Sequence, residues 1–307
     1  MDSKVIGYCP YLYIMKKILF LFMLFPVLGS YSQSTILEIQ TALEQGKIQT
    51  AKKLLHQRVS ENPNEAVALA YLGDIAGFEK DWDTSMALYK NLVQKHPDNA
   101  DYSFKYGAAL GMKALSISKI QSVIYIADIK KYLEKAVQLD PKHVQARRVL
   151  VELYIKLPGI LGGSFDKAQG FADELESLNK VDYYLAHAFI LKEEKGLAES
   201  EVYFKKALEA HQNLASSKKR NILNYELGKA ASDFEVYPQY GLKLLNEYIA
   251  NFGYKDIYTL DWAYYNKAKL QAALKNKAEA IKSIDKALTL RGNFKEAELE
   301  KKRIQQL

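Results

Sequence analysis

The chain has 307 residues, of which 49% are hydrophobic and 26% charged, and its formal net charge is +7. This composition excludes a disordered or fibrous chain, and the low proline and glycine content favours helices. Alternating apolar runs and Asn-Gly turns are absent, which argues against a β-rich fold. The positive charge is scattered, and its densest run, residues 218–220, is short. A nucleic-acid partner is therefore not expected.

The first 33 residues differ from the rest of the chain. Lys16 and Lys17 precede the apolar run Ile18–Leu28, and small residues follow up to Ser32. That order is typical of a secretory signal peptide, and the apolar run is too short to span a bilayer comfortably. We therefore predict a signal peptide over residues 1–33, cleavage after Ser32, and an exported protein of the periplasm or cell envelope. A retained anchor is the alternative, and an uncleaved signal is then the only expected membrane contact.

Met15 is an alternative start, because residues 1–14 add nothing that a signal peptide needs. The single cysteine, Cys9, lies upstream of the apolar run, so the mature chain contains no cysteine. This excludes disulfides, a thiol nucleophile and thiolate metal ligands. The exported protein must then be stabilised by packing alone.

The clearest pattern lies in residues 66–99. Apolar and small residues spaced by three and four predict a helix in the first half of this stretch. Asp81 is placed to cap a second helix, which ends before Pro97. Small side chains at Gly73 and Ser85 allow the two helices to approach closely. Each helix alone would expose too much apolar surface, so this hairpin requires neighbours.

The neighbours are present in the sequence, because the marker residues recur at a spacing of 34. Pro63 precedes Pro97 by this distance, and Gly73 precedes Gly107. A 34-residue helical hairpin with Leu-Gly, aromatic, alanine and closing proline positions resembles the tetratricopeptide repeat (TPR) family. The resemblance implies an all-α fold, a right-handed α-solenoid of antiparallel helix hairpins that coil into a TPR-like superhelix.

About seven such repeats are expected over residues 34–292, beginning near residues 34, 66, 100, 144, 181, 221 and 261. Extra residues interrupt the pattern near 111–128, where lengthened helices or an additional turn are expected, and again near 157–165. Residues 293–307 predict a polar helix that closes the array, which repeat proteins need for solubility.

No catalytic motif accompanies the repeats. The chain has no HExxH, GxxxxGK[ST], GxGxxG or GxSxG sequence, and its three Ser-x-x-Lys matches lack the partner motifs of acylating serine enzymes. The five histidines are distributed over different repeats, and no two of them have the spacing of metal ligands. We therefore predict a protein that is not an enzyme and that needs no cofactor and no metal.

The segment Pro158–Ser164 is the unusual local feature. Its adjacent glycines permit backbone conformations closed to other residues, and Ser164 can cap the helix that follows. Free backbone N–H groups there could hold an anion, although Asp166 would repel one. A tight turn with Ile160 and Leu161 packed against neighbouring helices is the simpler interpretation. Binding of a small ligand or glycan at this segment, within a cell-envelope assembly, is the alternative function.

In TPR arrays the concave groove is lined by fixed positions of each first helix, and the resemblance therefore implies a set of partner-binding residues. These are Phe104, Arg148, Glu152, Phe189, Tyr225, Lys229, Trp262 and Tyr265. Aromatic residues interleaved with single charges suit an extended or helical peptide. The paired lysine and asparagine positions of chaperone-binding TPR domains are not matched. The expected function is a scaffold that binds a protein or peptide partner in the groove; the alternative is that several of these residues pack against adjacent helices.

Overall fold

The computed structural model describes residues 36–215 and 219–307. The predicted signal peptide and its cleavage site lie outside the described residues, as does Lys218. Within them the chain forms fifteen α-helices, one short 3-10 helix and no strand. The described part of α1 covers residues 36–44. The following helices are α2 Ile48–Glu61, α3 Ala66–Phe78, α4 Trp82–Lys95, α5 Ala100–Leu115, α6 Lys119–Leu139, α7 Val144–Lys156, α8 Phe165–Leu178, α9 Lys180–Lys195, α10 Leu197–Gln212, α11 Asn221–Phe234, α12 Pro238–Ala250, α13 Leu260–Ala273, α14 Lys277–Leu290 and α15 Lys295–Gln305.

The chain divides into two compact units, Met1–Glu65 and Ala66–Leu307. In the described part of the first unit, α1 and α2 are joined by a short turn in which Gly46 has a φ of +68°. Backbone N–H groups of this turn donate to the last carbonyls of α1, which is how a left-handed residue ends a helix. Leu43 and Leu55 are buried, one on each helix of the pair.

The second unit consists of six helix hairpins in chain order, from α3/α4 to α13/α14, followed by α15. The second helix of each hairpin also packs on the first helix of the next hairpin. First helices touch one another as well, α7 against α9 and α11 against α13. First and second helices therefore form two layers, which is the arrangement of an α-solenoid. The all-α solenoid of hairpins predicted from the sequence is confirmed.

The interior of the α3/α4 hairpin shows why small residues recur at one position. A Cβ atom added to Gly73 would lie 2.7 Å from the ring of Tyr89, so only glycine allows this approach. The hydroxyl of Ser85 donates to the Gly73 carbonyl at 3.0 Å. The carboxylate of Asp81 accepts a backbone N–H from the first turn of α4 at 3.1 Å. The close helix approach and the helix cap predicted from the sequence are confirmed.

The extra residues near 111–128 are mostly helical. α5 has 16 residues and α6 has 21, whereas α3 and α4 have 13 and 14. The added turns carry apolar side chains into solvent, because Leu115, Ile120 and Ile124 are 81%, 87% and 75% exposed.

Candidate functional site

Charged side chains from three first helices meet on one side of the second unit. Arg148 on α7 contacts Asp182 on α9 at 3.0 Å and Glu226 on α11 at 3.1 Å. Arg220, which precedes α11, contacts the same Asp182 carboxylate at 2.5 Å. Asp182 is fully buried, and burial alone would lower the pKa of Arg148. The charges of Glu226, Asp182 and Glu152 outweigh burial and raise that pKa, so Arg148 stays protonated.

The contact between Arg148 and Glu226 shows that the first helices converge on this side. α7 and α11 belong to alternate hairpins, and packed helices lie about 8–10 Å apart, so two steps would separate them by roughly 16–20 Å in a straight stack. The two side chains meet because both project into a shared space. We call the surface formed by Arg148, Glu152, Asp182, Tyr225 and Glu226 the inner wall.

Glu152 is the accessible acidic group of the inner wall, one helical turn after Arg148. Water reaches its side chain, yet the surrounding protein desolvates the carboxyl and raises its pKa. The positive charge of Arg148 lowers the same pKa, and the negative charge of Glu226 raises it. A basic group brought to this place would therefore favour the ionised form of Glu152.

Tyr225 belongs to the inner wall, but its ring is covered by other side chains and the residue is only 3% exposed. Its ring stacks on that of Tyr258 with centroids 4.1 Å apart, and Tyr248 contacts it at 5.2 Å. Burial raises the pKa of the Tyr225 hydroxyl, which is therefore neutral at ordinary pH. A partner can contact this ring only after Tyr258 has moved.

Two further predicted residues, on α5 and α9, are not part of the inner wall. Phe104 on α5 packs against the ring of His143 with centroids 4.8 Å apart. Phe189 on α9 lies under the ammonium group of Lys156 at 5.6 Å, a cation–π distance. Both aromatic side chains are half-buried. Phe104 lies one hairpin before Arg148, whereas Phe189 is near the inner wall, because Lys156, which covers its ring, also lowers the pKa of Glu152.

The predicted residues on α13 contribute to packing near the C-terminal end of the array. The rings of Trp262 and Tyr265 lie 4.6 and 5.4 Å from that of Phe294. The guanidinium of Arg291 covers Trp262 at 5.4 Å and pairs with Asp261 at 2.7 Å. For these two aromatics, packing against adjacent elements is the arrangement that the structure shows.

Lys229, the remaining predicted residue, belongs to a separate ion cluster. Its ammonium group pairs with Asp233 on the same helix. Lys269 on α13 approaches the same carboxylate at 3.4 Å, which links α11 to α13. Lys269 also covers the ring of Tyr265 at 5.8 Å, so Lys229 and Tyr265 lie near each other, whereas Arg148, Glu152 and Tyr225 are the predicted residues of the inner wall.

A linker that the sequence did not single out reaches this surface. Residues 251–259, between α12 and α13, place Tyr258 on Tyr225 and carry two further aromatic rings to α3. The rings of Phe252 and Phe78 are 6.0 Å apart, and those of Tyr254 and Tyr71 are 6.4 Å apart. We call residues 251–259 the aromatic linker.

Asp256 holds the turn of the aromatic linker. Its carboxylate accepts the Gly253 N–H at 2.8 Å and the side-chain amide of Asn221 at 3.1 Å. The hydroxyl of Tyr248 donates to the carbonyl of Tyr258 and ties the far end of the linker to α12. Burial raises the pKa of the Asp256 carboxyl, and the two hydrogen bonds lower it.

The sequence prediction missed Asp182, Glu226, Arg220 and the aromatic linker. A signal for Asp182 exists, because it is the acidic residue in a run of apolar and aromatic side chains over residues 181–186 of α9. The linker also had a signal, since a long connection that carries three aromatic residues is more than a turn needs. Glu226 lies one residue after Tyr225, the position of α11 assigned to the groove. An error of one residue in aligning this helix with the repeat pattern is enough to miss it.

In the segment Pro158–Ser164, the backbone N–H groups of the adjacent glycines Gly162 and Gly163 already donate hydrogen bonds. The N–H groups of residues 161–164 all donate to backbone carbonyls of the segment or of α7. Ser164 caps α8 by accepting a backbone N–H at 3.3 Å, which confirms that prediction. Ile160 is 94% exposed, so the interpretation that it packs against neighbouring helices is wrong.

A cavity of about 330 Å³ lies between α8, α9 and α10. Phe165, Tyr183 and Tyr203 bound it, and none of the residues Pro158–Ser164 lines it. His187 faces this cavity with its Nε2 3.1 Å from Asp173. Desolvation lowers the pKa of His187, although the negative charge of Asp173 acts in the opposite direction.

Two features are absent from residues 36–215 and 219–307. No cluster of three or more histidine, cysteine or acidic side chains there could ligate a metal ion. None of the helices in these ranges combines the length and the apolar character needed to cross a bilayer.

Comparison with known proteins agrees with the hairpin geometry. The family model described as tetratricopeptide repeat matches residues 263–294, which correspond to the α13/α14 hairpin. The crystal structure of a thermophilic TPR protein from Thermus thermophilus superposes with a TM-score of 0.51 at 18% identity, covering 64% of this chain and 97% of that one. Residues 263–294 thus match the tetratricopeptide repeat, and the fold of the chain is similar to that of a solved TPR protein.

A second solved TPR protein aligns with a larger share of the chain. The crystal structure of a TPR protein from Parabacteroides merdae ATCC 43184 is similar to 89% of this chain and 98% of its own, with 15% identity and a TM-score of 0.49. No curated protein sequence matches the chain. Tetratricopeptide repeats are in general scaffolds for protein–protein interaction and carry no catalytic activity of their own.

Proposed function

We propose that this protein is an exported, non-enzymatic scaffold that binds a protein or peptide partner in the concave groove formed at its inner wall. One observation carries the proposal: three consecutive hairpins direct Arg148, Asp182 and Glu226 into one shared space. A surface assembled from successive repeats is suited to an extended ligand that runs along the array.

The charges of the inner wall select the kind of partner. Arg148 and the adjacent Arg220, which pairs with Asp182, supply two positive charges, and Asp182, Glu226 and Glu152 supply three negative ones. The arginines are already paired, whereas Glu152 is exposed. A partner that places a lysine or arginine beside Glu152 therefore complements the surface and specifies its own register.

Export is supported by the sequence of residues 1–33, where a basic pair, an apolar core and small residues follow in the order of a signal peptide. Cell fractionation and N-terminal sequencing test this part of the proposal. We expect the mature chain in the periplasm or cell envelope, beginning at Gln33. A chain that begins at Met1 or Met15 and stays in the cytoplasm would contradict export.

A crosslinking pull-down tests the binding site. The mature chain is mixed with cell-envelope extract beside two charge-reversal variants, Glu152→Lys on the inner wall and Glu176→Lys on α8. Both side chains are exposed, but Glu152→Lys also places a positive charge near Arg148, so thermal unfolding of both variants is measured first and the pull-down uses temperatures at which both are folded. We expect the partner to be lost from Glu152→Lys and retained by Glu176→Lys. A partner that both variants retain would place binding elsewhere.

A further inference from the structure

The aromatic linker is longer than a connection between hairpins requires. It has nine residues, 251–259, whereas the connections 96–99 and 140–143 between other hairpins have four each. Its rings contact the preceding hairpin, Tyr258 at Tyr225 and Phe252 at Tyr248, but they also extend beyond it. Phe252 and Tyr254 reach α3, about 180 positions earlier in the chain. The linker therefore crosses the space that the first helices of the second unit enclose.

The surface beneath the linker is aromatic at both ends. Tyr71 and Phe78 lie on α3, and Tyr225 lies on α11. All three accept an aromatic ring from the linker, one as a parallel stack and two as tilted pairs. Such pairs add favourable energy beyond the burial of area, and their geometry selects aromatic over aliphatic side chains.

We propose that the aromatic linker is an internal ligand of the groove. Tyr71, Phe78 and Tyr225 form a binding surface for aromatic side chains of an extended peptide, and the linker occupies this surface until such a peptide displaces it. The inference rests on the proposed function and names the partner class. The partner segment carries aromatic residues at the spacing of Phe252, Tyr254 and Tyr258, which is two and then four positions.

The two ends of the linker are held differently, which makes displacement possible without unfolding. At the α11 end, Asp256 accepts two hydrogen bonds and Tyr258 stacks on Tyr225. At the α3 end, Phe252 and Tyr254 are half-buried and each makes a ring contact with α3, and Phe252 also meets the ring of Tyr248 at 5.9 Å. Residues 252–255 therefore open first, as a loop held between the end of α12 and the anchor at Asp256.

A competing peptide can bind only to molecules in which the linker has left the surface. Its apparent affinity is therefore its intrinsic affinity multiplied by the fraction of molecules in this open state. The double variant Phe252→Ser/Tyr254→Ser removes the closed state at α3 and retains the Asp256 anchor. A fluorescein-labelled peptide with the sequence NFGYKDIYT, that of residues 251–259, is the probe. By fluorescence anisotropy we expect it to bind the double variant about tenfold more tightly than the parent chain.

Two controls make the result specific. A peptide with serine in place of the first two aromatic residues is expected not to bind the double variant. Adding Tyr71→Ser and Phe78→Ser to the double variant is expected to abolish binding of the original peptide while the helical circular dichroism is retained. Equal affinity for the parent chain and the double variant overturns the proposal, as does binding that survives the loss of Tyr71 and Phe78.

Hydrogen exchange tests the same proposal on the parent chain and therefore does not depend on the folding of a variant. Saturating peptide is expected to speed exchange of the amides in residues 251–255 and to leave those of α14 unchanged. Unchanged exchange in the linker overturns displacement. The Glu152→Lys pull-down changes no residue of the linker, of Tyr71 or of Phe78. Its success together with failure of the peptide experiments would retain the scaffold and reject the internal ligand.

Discussion

The interior of the α3/α4 hairpin and the inner wall are built from contacts of different range. In the hairpin, Ser85 bonds to Gly73, twelve positions away, and Tyr89 bonds to Ala70, nineteen positions away. In the inner wall, Arg148 bonds to residues 34 and 78 positions away. The hairpin interior thus lies within one repeat, whereas the inner wall exists only when three repeats are stacked.

This difference explains what can vary between repeats. A change inside a hairpin must preserve the approach of two helices, so small and aromatic residues recur at fixed spacing. The inner wall needs only that opposite charges arrive at one place, and any hairpin can supply them. Arrays built from similar hairpins can therefore differ in the charges of their inner wall.

The largest expected effect comes from breaking the inner wall at Asp182. Asp182→Ala leaves Arg148 and Arg220 near each other without their shared carboxylate, in a site where Asp182 itself is fully buried. Removing one partner of a buried ion pair costs about 3–5 kcal/mol, and here Arg220 and Arg148 both lose this carboxylate, although Arg148 keeps Glu226. Urea unfolding measures the loss.

Asp83→Ala is the matched control, from the α3/α4 hairpin. Asp83 also pairs with a basic side chain, Lys113, at 2.7 Å, but it is 71% exposed. An exposed pair contributes about 0–1 kcal/mol, so this variant is expected to be nearly as stable as the parent. Equal losses in the two variants would show that burial does not distinguish the inner wall from an ordinary surface pair.

The second prediction concerns pH and a histidine inside the array. His211 on α10 is 1% exposed and lies 3.0 Å from the hydroxyl of Tyr240 on α12. Desolvation and the nearby charge of Lys219 lower its pKa from 6.5 to about 4. The unfolded state takes up a proton as pH falls below 6.5, and the folded state does not until about pH 4. His211 therefore destabilises the fold progressively over this window, by about 3 kcal/mol in total.

Thermal unfolding from pH 7.5 to pH 4 measures this effect. We expect His211→Gln to lose less stability on acidification than the parent chain. His56→Gln, at an exposed histidine of α2, is the control and is expected to follow the parent. Parallel pH curves for all three proteins would mean that His211 is protonated in the folded state as easily as in the unfolded chain.

The sequence predicts the hairpin interior well and the inner wall only in part, for the same physical reason. Gly73, Ser85 and Asp81 act within one 34-residue unit, so spacing alone identifies their roles. Arg148 was predicted, but its partners depend on how far α9 and α11 rotate relative to α7. The linker contacts with α3 depend on the curvature of four intervening hairpins, which no local pattern records.

The smallest expected effect tests whether glycine sets the helix approach in the hairpin. Gly73→Ala places a Cβ atom 2.7 Å from the ring of Tyr89, which is 2% exposed and is held by a hydrogen bond to Ala70 at 2.9 Å. Gly170→Ala in α8 meets no atom within 4 Å and is the control for the helix-forming advantage of alanine.

We expect Gly170→Ala to be stabilised by about 0.5–1 kcal/mol, because alanine loses less backbone entropy in a helix. Gly73→Ala gains the same advantage but must also move a fixed, buried ring, which costs about 1–3 kcal/mol. The difference between the two variants in urea unfolding isolates this packing cost. Equal stabilisation would mean that the ring of Tyr89 shifts freely. The repeat would then not require glycine at this position, and the hairpin interior could vary as freely as the inner wall.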